Sequence, residues 1–200
     1  PGTSAGIGVL EELAALGIPT NPTVCVSVSQ MIAAADAHER GVKRAEETGL
    51  KPAHSTSAFV MGRLQDYLSA LNDDRKTGLS VHDLEWAVLA ATKRCYSIFQ
   101  ERGYRQLIMP AAFRCAMHVS ELAGSTTVMT IHPSIQSKVI AADQAGDIRR
   151  ESAIDHQVDQ DAVNRVLRAL PEFQAAFEPD GLAQKEFDAF GATAMTLNSF

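Results

Sequence analysis

The sequence predicts an α/β fold: about four βα units in series, the second half of a (β/α)8 TIM barrel, followed by a helical C-terminal extension. Three observations predict it. The stretch Asn21-Pro22-Thr23-Val24-Cys25-Val26-Ser27-Val28-Ser29-Gln30 carries β-branched residues at alternate positions and runs straight into an Ala-rich helical pattern, Gln30 to Arg40. A strand packed on both faces that turns into a helix reads this way. Further short runs at 51–58, Gln106–Met109 and Thr127–Ile131 are each followed by helical periodicity, and such alternation implies a parallel sheet with right-handed crossovers. Finally, four such strands would leave two open edges and a complete barrel takes about 250 residues. The 200 residues, opening abruptly on Pro1-Gly2-Thr3 without Met, are therefore expected to be the second half of one.

Taken in order, a helix over 3–17 shows apolar Ile7, Leu10, Leu13, Ala14 and Leu16, with Thr3 or Ser4 as N-cap and Gly17 as its stop. After the first strand, a helix from Ser29 to about Thr48 contains Gly41 as a weak point. The polar run 51–58 is placed as a strand by spacing, and a helix opens at Phe59 with Leu64, Tyr67, Leu68 and Leu71 on one face. Ser80-x-x-Asp83 is a capping box for a long helix to Arg102, which Gly103 ends. The remaining units pair Gln106–Met109 with a helix over 114–123, and Thr127–Ile131 with a helix from Ser134 to about Ala142. The character changes near Asp147, so residues 1–146 are expected to be the barrel body. Residues 147–200 are expected to be an appended helical segment whose Phe173, Phe177, Phe187, Phe190 and Phe200 pack against that body.

Composition narrows the function classes. At 46% hydrophobic and 21% charged, the chain can bury a core, and a net charge of −6 without a basic stripe gives no reason to expect nucleic acid. No apolar run approaches the roughly 20 residues of a membrane span, and no basic start marks a signal peptide. Three cysteines without a C-x-x-C pair fit free thiols in a reducing compartment, hence a cytoplasmic protein. The six histidines lack metal-ligand spacing, so neither metal nor cofactor is expected.

Two groups of residues carry candidate chemistry. Asn21 and Thr23 project to the same side of the first strand; as Asn-Pro is also a common turn, the residues alone leave both readings open. Arg63 and Arg114 each follow a strand end at a helix N-terminus. A guanidinium beside free backbone N–H groups there suits a phosphate, whereas a single Arg is by default a solvated surface group.

With these residues in view, the chain resembles the carboxy-terminal portion of a transaldolase. Gly17-Ile18-x-x-Asn21-x-Thr23 with Ser27-x-Ser29-Gln30 is similar to the family's G-I-x-x-N-x-T…F-S-x-x-Q signature, with Val26 in place of Phe. Ser57-Ala58-Phe59-Val60-Met61-Gly62-Arg63 with Asp66-Tyr67 resembles S-P-F-V-G-R…D-W, with Met61 as an extra residue. Met109-Pro110-Ala111-Ala112-Phe113-Arg114 and Glu121-Leu122-Ala123-Gly124 resemble M-x-A-S-F-R…E-L-A-G.

The resemblance implies an enzyme of the pentose phosphate pathway that moves a dihydroxyacetone unit from a ketose phosphate to an aldose phosphate through a lysine Schiff base. It implies that Asn21 binds a substrate hydroxyl, Thr23 orients the catalytic water, Arg63, Arg114 and Ser57 hold phosphate, and Phe59 borders the pocket. Ala112 replaces a family serine at the phosphate. The Schiff-base lysine and the acid/base carboxylates are absent from the chain, and Lys43, Lys51, Lys76, Lys93, Lys138 and Lys185 fall on expected helices or loops. The expectation is thus a phosphate-binding half, inactive alone, with a homodimer partner or a separate N-terminal half. The alternative is a non-catalytic fragment or sugar-phosphate-binding remnant of a split barrel.

Overall fold

The structure, a computed structural model, describes residues 1–148 and 150–199. Its helices begin where the sequence supplies caps. Helix α1 (Ser4–Ala15) starts at Thr3, whose hydroxyl accepts the Gly6 N–H at 3.1 Å, and α2 (Val28–Glu47) starts at Ser27, which caps Gln30 in the same way at 3.2 Å. Strand β1 (Thr56–Phe59) leads into α3 (Met61–Arg75), and the Ser80–Asp83 capping box opens α4 (Val81–Arg102). Strand β2 (Leu107–Pro110) follows, then α5 (Ala116–Ser120), α6 (Pro133–Ala145), α7 (Gln160–Ala169), α8 (Pro171–Phe177), a 3-10 turn at Gln184–Glu186, and α9 (Gly191–Leu197).

The barrel expectation is corrected here. The fold is mostly helical, 58% helix against 6% strand, and is not the repeated βα series of a (β/α)8 TIM barrel half. Among the described residues the sheet is two-stranded and unclosed: β1 runs parallel to β2, Thr56 opposite Leu107 through Phe59 opposite Pro110. The other two expected strands fail for local reasons. Val24 adopts a left-handed φ of 59°, and Ser27 already caps α2, so the valine run makes a single bridge, Cys25 to Phe59. Residues 127–131 likewise make one bridge, Thr130 to Ala111. Extended backbone still flanks the sheet: Ala58 N–H donates to Pro22 O at 2.8 Å, and Val128 N–H to Ile108 O at 3.0 Å.

One large core joins α2, α3, α4, α7 and α8 around Met31, Leu64, Leu89, Leu170 and Phe173, all fully buried. A smaller cluster of Ile7, Leu10, Ala34, Ala37 and Phe187 lies beneath α1. Gly41 does not break α2. A Cβ there would stand 2.3 Å from the Glu11 carbonyl oxygen, so its absence lets α1 and α2 approach closely. The C-terminal helices are pinned to the rest by Arg165–Asp83, Arg75–Glu172 and Arg94–Glu178 pairs, with Arg94 also 4.3 Å above the Phe177 ring. Phe173, Phe187 and Phe190 are buried and Phe177 partly so, while the expected packing of Phe200 lies outside the described residues. Arg149, in the irregular stretch expected after Asp147, also lies outside them. No helix among the described residues is long and apolar enough to cross a membrane.

Candidate anion-binding site

The two strands end side by side, and the residues that follow them build the site. After β1 the chain enters α3 at once, so Arg63 lies in the first helical turn. After β2 it turns through Ala112, whose φ of 60° is left-handed. That turn brings the Ala112 carbonyl onto Gly62: a Cβ at Gly62 would stand 1.8 Å from the oxygen, so only glycine permits the approach. Nη1 of Arg114 donates to this same carbonyl at 2.9 Å.

The rest of the Arg114 guanidinium makes a two-point pair with Asp66. Nε donates to Oδ1 at 2.9 Å, and Nη2 donates to Oδ2. Arg63 stands three residues before Asp66 on α3, its Nη1 3.9 Å from the carboxylate. All three side chains are about one-third exposed. Two guanidinium groups against one carboxylate leave a local surplus of positive charge. Val60, at the N-cap of α3, offers no side-chain bond to the first-turn N–H groups, which adds the helix dipole in the same sense.

His118 lies under Arg114. Its Nε2 is 3.2 Å from the Glu85 carbonyl, which can only accept, so the proton sits on Nε2 and Nδ1 is free to accept the Arg114 backbone N–H at 3.5 Å. Burial pushes this histidine down to about 4, and the Arg114 charge acts in the same direction.

Asn21 and Thr23 are exposed, and Asn21 Nδ2 lies 3.6 Å from Met109 Sδ of β2, on the far side of β1. Ser57 and Phe59 are not brought to that surface. Strand β1 is buried on both faces, and Ser57 and Phe59 are fully buried in it, with the Ser57 hydroxyl 3.5 Å from Met31 Sδ on α2. The residue that sequence reasoning missed is Asp66, the carboxylate on which both arginines converge. Its signal was the i, i+3 spacing from Arg63, which makes the two neighbours on any helix.

Lys93 is the buried lysine, and it is engaged at three points: Glu121 Oε2 at 3.0 Å, Ala153 O at 2.8 Å and His156 O at 3.0 Å. An ammonium so held is a structural cation, not an amine poised for attack. Burial pushes the Cys25 thiol up to about 12 and Cys95 higher still, which leaves both inert. No group of three or more His, Cys, Asp or Glu among the described residues could hold a metal ion.

The functional expectation is corrected accordingly. Neither a barrel-like sheet core nor the architecture of a Schiff-base active site is present among the described residues. This overturns dihydroxyacetone transfer through a lysine imine with this chain as its phosphate-binding half. It equally overturns the alternative of a split-barrel remnant.

Comparison with known proteins gives the class. The family profile described as transaldolase/fructose-6-phosphate aldolase matches residues 1–186. The chain belongs to that family. It is 34% identical over 133 residues to transaldolase A of Pasteurella multocida, covering 66% of this chain and 36% of that one. It is 25% identical over 212 residues to transaldolase 2 of Streptomyces avermitilis, covering 93% of this chain and 56% of the relative. A second Streptomyces avermitilis protein, transaldolase 1, is 25% identical over 227 residues, 98% of this chain and 59% of its own length. The chain therefore spans between about a third and three-fifths of the curated relatives it matches.

Proposed function

We propose that Arg63 and Arg114 receive the phosphate of a phosphorylated sugar, with Asn21 and Thr23 directed at the sugar hydroxyls. The observation that carries this reading is the convergence of two guanidinium groups on Asp66 beside the uncapped first turn of α3. Arg114 is held by Asp66 and Ala112 yet keeps one N–H on each Nη for an incoming oxygen, and planar forks of this kind suit phosphate. Ser57 and Phe59 serve from beneath, as packing that fixes the end of β1. Names of relatives, all transaldolases, support an enzymatic ancestry for the chain. Residues 1–146 carry the site and residues 147–200 brace it. Three free thiols suit a reducing compartment, the cytoplasm.

Calorimetric titration of the full-length protein with fructose 6-phosphate and with inorganic phosphate tests the reading. Both ligands bind, and Arg114→Ala weakens both by roughly tenfold or more, the size of a lost charged hydrogen bond. Arg63→Ala weakens both as well. Equal affinity in the Arg63→Ala/Arg114→Ala double variant, or a wild-type protein that binds neither ligand, overturns it.

A further inference from the structure

Gln30 is fully buried and every hydrogen-bonding position of its amide is in use. Oε1 accepts from the Val26 N–H at 2.9 Å and the Ser27 hydroxyl at 3.0 Å. Nε2 donates to Gly2 O at 2.7 Å and Thr193 Oγ1 at 3.2 Å, with Val24 O a further acceptor at 3.4 Å. An amide has two N–H groups and one carbonyl, so no capacity is left over. Its partners enclose Val24, a β-branched residue in the left-handed region at φ 59°. Such a conformation persists only where its surroundings over-determine it. The restraints here are Gln30 on the Val24 carbonyl, the Gly2 N–H on the Thr23 carbonyl at 2.6 Å, and the Val60 N–H on the Cys25 carbonyl at 2.8 Å.

Thr193 stands apart from the rest of this set because it comes from α9, at the far end of the chain. It is itself fully buried. The residue that precedes α9, Phe190, meets Tyr67 edge-on with centroids 5.8 Å apart, and Tyr67 is next to Asp66 on α3. The start of α9 thus packs on α3 at Tyr67, and α9 reaches the Asn21–Val26 segment through Gln30.

We propose that α9 sets the conformation of the Asn21–Val26 segment through Gln30, which makes Thr193 a positioning residue for Thr23. Without the Thr193 hydroxyl, a buried Nε2 proton turns wholly to the Val24 or Gly2 carbonyl. The amide rotates, and Val24 shifts with it.

Thr193→Val keeps the shape and removes the acceptor; Thr193→Ser keeps the acceptor. In amide NMR spectra of the full-length protein, Thr193→Val displaces the Val24, Cys25 and Val26 resonances, and Thr193→Ser returns them to the wild-type positions. Unmoved resonances in Thr193→Val overturn the proposal, as does a displacement that Thr193→Ser shares. A second arm rests on the sugar-phosphate reading above: Thr193→Val weakens fructose 6-phosphate roughly three- to tenfold, about one net hydrogen bond, and leaves inorganic phosphate unchanged. An equal loss for both ligands marks a general structural effect and overturns the positioning role. If the wild type binds neither ligand, the sugar-phosphate reading fails and the amide resonances alone decide the role of Thr193.

Discussion

Arg114 is fixed at side chain and backbone together, by Asp66 and Ala112 at the guanidinium and by His118 at the amide. The histidine ties this residue to pH. Its pKa in the folded chain is about 4, below the ordinary 6.5, so the unfolded chain binds more protons between those two values. Stability contributed by neutral His118 is complete above about pH 6.5 and is lost as pH falls towards 4. Chemical denaturation at a series of pH values should show that slope in the wild type and lose most of it in His118→Asn, whose amide can still accept the Arg114 N–H. An unchanged slope would assign the acid sensitivity elsewhere. At this scale the sequence was a good guide to the place of Arg63, in the first turn of α3, and a poorer one to Arg114, which lies in the loop ahead of the five-residue α5 and not inside a helix. It was a poor guide to Ala112, since alanine carries no signal for a left-handed φ. Ser57 and Phe59 show a different difficulty: Ser57, Ala58 and Phe59 are all buried, so a strand covered on both faces offers no alternation by which to tell a surface side chain from a core one.

Helices were legible because their termini are written in local chemistry. The α4 limits, Val81 to Arg102, follow from a Ser80–Asp83 box whose two reciprocal bonds are both present and from Gly103 in the left-handed region. Ser80→Ala should cost about 1 kcal/mol, the usual value for a lost N-cap. The shift is measured in the urea midpoint at constant m-value, and no shift would mean Asp83 sustains the cap alone through its Arg165 pair. Strands were less legible because their pairing depends on partners elsewhere in the chain. Val24, Val26 and Val28 have the residue types of a strand. The left-handed Val24 and the helix cap at Ser27 take them out of one.

Across the whole molecule, the boundary expected near residue 146 does not interrupt the packing. Val163, Val166, Leu170 and Phe173 share one core with Met31, Leu64 and Leu89. That continuity is physical support for a C-terminal segment acting on residues far from it in sequence. The overall architecture was not legible, because periodicity counts apolar runs and says nothing of whether those runs hydrogen-bond into a closed sheet. The unclosed edge has one more consequence. Residues 127–131 give N–H bonds to Ile108 and Pro110 on one side, while Val128 and Leu107 remain more than 40% exposed. An uncovered edge with apolar side chains is a template for another extended chain. The isolated 200 residues should therefore self-associate as concentration rises, visible in light scattering, and Val128→Lys should suppress it by placing a charge on the rim. Equal scattering from the two proteins would show that the rim takes no part in aggregation.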